Sequence, residues 1–129
     1  MFTHDAAKRY GQIVGATVLL IAVVGLLVGE GPLLKVFNIE LVEDLIHIGS
    51  GLVLAYAGFV AKDARVVRSI VGAVGVVYLL VGVIGFIAPM LFGLLPEYGY
   101  SVADNMLHLF LGALAVAAAR VSASHTQHA

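Results

Sequence analysis

The chain has 129 residues, of which 61% are hydrophobic and only 12% charged, with a net charge of −1 and a mean hydropathy of +1.05. So few charges cannot cover the exterior of a soluble domain, which excludes that class and indicates an integral membrane protein. The near-zero net charge excludes a basic nucleic-acid surface, and the absence of cysteine excludes disulfides, thiolate metal sites and thiol redox pairs.

Hydropathy predicts four spans, at about Tyr10 to Val28, Leu41 to Ala61, Ser69 to Ala88 and Val102 to Ala119. Each matches a bilayer core at the helical rise, and helices are the reading because backbone polar groups in lipid must bond internally. Lys8 and Arg9 precede the first span. The apolar run there is too long for a signal-peptide core, and LLVGEGPLL offers no Ala-x-Ala site, so the expectation is a retained span. Lys62, Arg65 and Arg68 lie between the second and third spans and Arg120 follows the fourth, so that of the seven basic residues only Lys35 falls in the opposite loops. That asymmetry predicts cytoplasmic termini. The other side carries Glu30, Glu40, Glu43, Asp44, Glu97 and Asp104 and reads as an acidic face.

The chain repeats itself. IVGATVLLIAVVG from Ile13 matches IVGAVGVVYLLVG from Ile70, aligning Gly15 with Gly72 and Gly25 with Gly82. EDLIHIGSG matches DNMLHLFLG, aligning Glu43, Asp44, His47 and Gly51 with Asp104, Asn105, His108 and Gly112. Residues 1–129 thus read as one transmembrane domain. Repeat 1 covers about 10–61 and repeat 2 about 69–119, with a polar tail at 121–129. Two-span units keep one orientation, so the expected fold class is all-α, a four-span transmembrane helical bundle built from two parallel hairpin repeats. Gly11, Gly15, Gly72, Gly75, Gly82 and Gly85 are candidate packing positions, within the bundle or between copies of the chain, because small residues let helices approach closely in lipid.

In both repeats an acid precedes a histidine by one helical turn, Glu43 before His47 and Asp104 before His108, with Asp44 and Asn105 beside them. Four readings are open. In the first, acids in a first turn complement the helix dipole, Ser101 and Asp104 form a capping box, Asn38 caps the second helix, and the histidines bond helices together. In the second, Glu43, His47, Asp104 and His108 form a four-ligand site for a divalent zinc, iron or copper ion on facing helices. In the third, His47 and His108 ligate a haem, with Gly49, Gly51 and Gly112 leaving room. In the fourth, the cluster belongs to a transport path, although Ser50, Tyr56, Thr17 and Tyr78 are the few polar residues beyond it. His4, His125 and His128 lie in polar tails, Tyr98 and Tyr100 read as an interfacial aromatic belt, Pro89 is expected to end the third helix, and Phe92 to Leu95 read as an interfacial or re-entrant segment. With no nucleophile–base pair, phosphate loop or dinucleotide fingerprint, an enzyme is not expected.

The motif Asp104, Asn105, Leu107, His108, Leu109 and Gly112, with the earlier HIGSGLVLAYAG, resembles a family of small bacterial four-helix membrane proteins catalogued as a domain of unknown function. The last-helix motif is matched in full. Glu43 and Asp44 put acids where that family more often has asparagine or neutral residues. The resemblance implies a bacterial inner-membrane location and brings no activity. The expected function is a non-enzymatic structural or accessory subunit, with metal or haem binding through His47 and His108, or an oligomeric transporter or channel, as the alternatives. The expected partners are the lipid bilayer and a membrane protein or further copies of the chain.

Overall fold

The computed structural model describes residues 6–28, 31–33, 37–39, 41–90 and 100–128. Four helices long and apolar enough to cross a membrane dominate it. They are α1 (Ala6–Val28), α2 (Leu41–Ala55), α3 (Ala64–Ile87) and α4 (Val102–His128). The all-α four-helix expectation holds.

α1 packs chiefly on α2, and α3 on α4, so each repeat is a paired hairpin; the hairpins then meet through α1 against α3 and α4, and α2 against α3. The interior is built from small residues. Ala7, Tyr10, Val14 and Val18 recur at helical spacing on the inner stripe of α1, against Leu54, Ala57, Ala61, Val67, Val71 and Ala115. Large side chains such as Ile13, Leu27, Phe59, Ile87 and Phe110 point outward. That inversion suits a bundle whose surroundings are as apolar as its core, where close backbone packing holds the helices together. The apolar cluster occupies the half of the bundle where α1 and α3 begin. The amide of Ala7 donates to Ser122 Oγ at 3.0 Å, joining the start of α1 to the late turns of α4.

Several local features differ from the sequence expectation. The α1–α2 connection, expected to be a plain loop, contains a small hairpin, β1 (Gly31–Leu33) antiparallel to β2 (Phe37–Ile39), with Pro32 opposite Asn38. Asn38, expected to cap α2, therefore lies in β2, three positions before the helix begins at Leu41. α2 does not run unbroken to Ala61. Its last turns, Tyr56–Val60, are π-helical, and the Gly58 carbonyl accepts from Gln12 Nε2 at 2.9 Å. A widened turn displaces carbonyls from the helical ladder, and a side chain of α1 satisfies this one. Residues 121–128, expected as a tail, continue α4. α3 ends at Ile87, two residues before Pro89, as proline's missing N–H requires. Phe92 to Leu95 and Tyr98 fall outside the described residues, as does His4, and the side chains of His125 and His128 are likewise not described.

Candidate metal centre

The opening turns of α2 and α4 carry the repeated motif to the end of the bundle opposite the apolar cluster. There Glu43, Asp44, Asp104, Asn105 and His108 are all buried. Three of the six residues that suggested an acidic face therefore point inward; the side chains of Glu30, Glu40 and Glu97 fall outside the described set.

The two repeats use equivalent residues differently. Asp104 and Ser101 form the expected capping box. The Asp104 amide donates to Ser101 Oγ at 3.0 Å, and the Ser101 amide donates to Asp104 Oδ2 at 2.9 Å. Two backbone donors at the start of α4 are thereby satisfied. Glu43, the counterpart of Asp104, instead turns to the histidines, and its Oε1 lies 3.8 Å from His47 Nε2, one helical turn away. Asp44 and Asn105 each lie over a glycine of their own hairpin. A Cβ added at Gly25 would collide with the Asp44 carboxylate, and one at Gly85 with the Asn105 amide oxygen.

His47 and His108 face one another across the bundle, with ring centroids 6.3 Å apart and planes 34° from parallel. Glu43, His47 and His108 each offer one donor atom, and these atoms lie within 4.8 Å of one another. The Nδ1 atoms of both histidines are buried without a hydrogen-bond partner among the described residues. Buried polar nitrogens are nearly always bonded, so two such atoms on facing rings mark a place where the described residues leave donor capacity unused. Asp104, expected as a fourth ligand, is not among the three converging residues.

Two tyrosines complete the site. Tyr100, expected in an interfacial belt, is buried and meets His108 edge-on at 5.2 Å. Its amide donates to the Pro89 carbonyl at 2.8 Å, fixing the residue that leads into Ser101. The Tyr78 ring centroid lies 5.8 Å from that of His108, and its hydroxyl donates to Ser50 Oγ at 3.2 Å. The Ser50 hydroxyl is 3.4 Å from the His47 carbonyl. A cavity of about 260 Å³ adjoins both histidines between α2 and α3, lined also by Gly49, Ser50, Val53, Val74, Val77 and Tyr78. The role of the tyrosines could not be read from the sequence motif, because both reach the histidines from outside it.

Comparison of the chain with protein-family models, curated proteins and solved structures finds no match.

Proposed function

We propose that this small multi-pass membrane protein binds one divalent first-row transition-metal ion through Glu43, His47 and His108. The observation that carries the reading is the convergence of their three donor atoms within 4.8 Å at a buried position between two helices. One carboxylate and two imidazoles suit zinc, copper or iron, whereas calcium and magnesium favour all-oxygen shells. Bonds of about 2.0–2.1 Å would bring tetrahedral donors to roughly 3.3–3.4 Å from each other. The side chains thus have to close by no more than about 1.5 Å, within the reach of rotamer adjustment. The ion would neutralise a buried carboxylate that is otherwise costly to desolvate.

Three protein ligands leave a coordination position open, and the adjoining cavity supplies space for a small further ligand. A haem fits less well. Glu43 offers its donor atom within 4.8 Å of those of both histidines, in the space a macrocycle would need. The proposed role is one of binding, as a carrier or accessory component in a bacterial inner membrane, rather than turnover. The structural reading retains support for the rest of the motif, since Asp104 caps α4 and Asp44 and Asn105 sit over glycines.

The test is elemental analysis of protein purified without a histidine tag or chelator, then loaded separately with zinc, copper and iron and desalted. About one ion per chain is expected, falling at least tenfold in His47→Leu and in His108→Leu, since each removes one of three ligands. A wild-type chain that retains none of the three metals, or variants that retain as much as wild type, would overturn the proposal. Retention should also fall on acidification, because protonated imidazole has no lone pair to donate.

A further inference from the structure

A shallow surface groove, of about 370 Å³, lies between α3 and α4 at the end of the bundle opposite the metal centre, with Arg68, Ser69 and Arg120 among its lining residues. The rest of its wall is apolar, from Gly72 and Val76 of α3 and Val116 and Ala119 of α4. Arg68 and Val76 are eight residues apart on one helix, so the groove runs about 12 Å along α3 from its basic end.

Gly72 is open where its counterpart in the first repeat is tightly packed. A Cβ at Gly15, its counterpart in the first repeat, would meet the Ala55 amide nitrogen at 2.7 Å, because α1 and α2 are in close contact there. Among the described residues, a Cβ at Gly72 would meet nothing nearer than the Ala119 Cβ at 3.5 Å. Glycine at 72 is thus not demanded by helix contact, and its missing side chain widens the groove.

We infer that this groove binds an anionic phospholipid, with its phosphate between Arg68 and Arg120 and an acyl chain along Gly72, Val76 and Val116. Two guanidiniums match a phosphodiester in charge, and each offers several donors, so Arg68 can meet the phosphate beside the interaction it already makes within the chain. Ser69 adds a hydroxyl. The apolar wall beneath continues in the direction an acyl chain takes from its headgroup. Basic pockets between spans are the usual form of such headgroup sites. The apolar lining distinguishes this site from one for free phosphate, which would gain nothing from Val76 and Val116.

The test uses the full-length protein in mild detergent, with retained lipid counted by native mass spectrometry. Phosphatidylglycerol, phosphatidylcholine and inorganic phosphate are added in separate arms. Phosphatidylglycerol should be retained and phosphatidylcholine at least about tenfold less, as expected when headgroup charge carries the binding. Inorganic phosphate should not compete at millimolar concentration. The double variant Arg68→Gln/Arg120→Gln should lose phosphatidylglycerol about tenfold or more, while Arg65→Gln, which removes an exposed charge outside the groove, should not. Gly72→Leu keeps both arginines and fills the groove, and should lose the lipid too. Circular dichroism and metal content confirm that each variant is folded. Equal retention of both lipids, displacement by phosphate alone, or folded variants that hold phosphatidylglycerol as wild type does would overturn the inference.

Discussion

Glu43 and Asp104 occupy the same place in two copies of one motif, each four residues before a histidine, yet only Glu43 joins the converging donors. Asp104 has a reciprocal partner in Ser101, the residue three before it. A carboxylate held in a capping box has its direction set by the helix end. The two acids should therefore fail differently. Asp104→Ala should lower stability by about 1 kcal/mol, the usual cost of a lost cap, and leave metal stoichiometry unchanged. Glu43→Ala should remove most of the bound ion. Denaturant titration of the apo-protein beside elemental analysis separates the two effects. If Asp104→Ala loses the ion as fully as Glu43→Ala, Asp104 belongs to the ligand set after all.

Close helix contact runs through most of the described helical glycines. A Cβ at Gly75 would meet the Ala115 Cβ at 2.8 Å and the Gly112 carbonyl oxygen at 3.0 Å, and one at Gly112 would meet the Gly75 carbonyl oxygen at 2.8 Å. α3 and α4 thus cross with backbone against backbone, as small residues permit in lipid. Gly75→Leu should destabilise the bundle by about 1–3 kcal/mol through overpacking. Gly49→Ala, where nothing among the described residues lies within 4 Å, should not destabilise it. Unfolding of both variants in a mild-detergent denaturant series compares them, and equal stability would show that the α3–α4 crossing can spread apart freely. These contacts also show what the sequence can reveal. Span number and approximate limits followed from apolar runs, and repeat pairing from the aligned glycines and motifs. Gly75 stood out as a small residue within a span. The hairpin at 31–39 and the π-helical turn at Tyr56–Val60 were not legible. Short pairings leave little pattern, and the π turn is stabilised by Gln12 from another helix. At the site, Glu43 and His47 were legible from helical spacing, and His108 from the repeat. Tyr78 and Tyr100 were not, because helix rotation and the route of the chain into α4 decide what meets an imidazole.

Duplication places two kinds of chemistry at opposite ends of one bundle. The acid–histidine motif opens α2 and α4, so it lies at the end where those helices start. The arginines of the groove lie near the start of α3 and late in α4, close to the other end, where Ala7 and Ser122 join α1 to α4. The charge asymmetry of the loops proposes that this second end is cytoplasmic. The metal centre would then take its ion from the outer side, and the groove would take lipid from the inner leaflet. The chain has no cysteine, so single cysteines can report orientation without background. Lys62→Cys, at an exposed position between α2 and α3, should resist a membrane-impermeant maleimide in intact cells and react after permeabilisation. Glu97→Cys, between α3 and α4, should react in intact cells. The reverse pattern would invert the bundle, making the metal centre a site for cytoplasmic ions and moving the lipid groove to the outer leaflet. Both sites would survive such a reversal, since each is defined by its own residues, but the direction in which the protein serves the membrane would change.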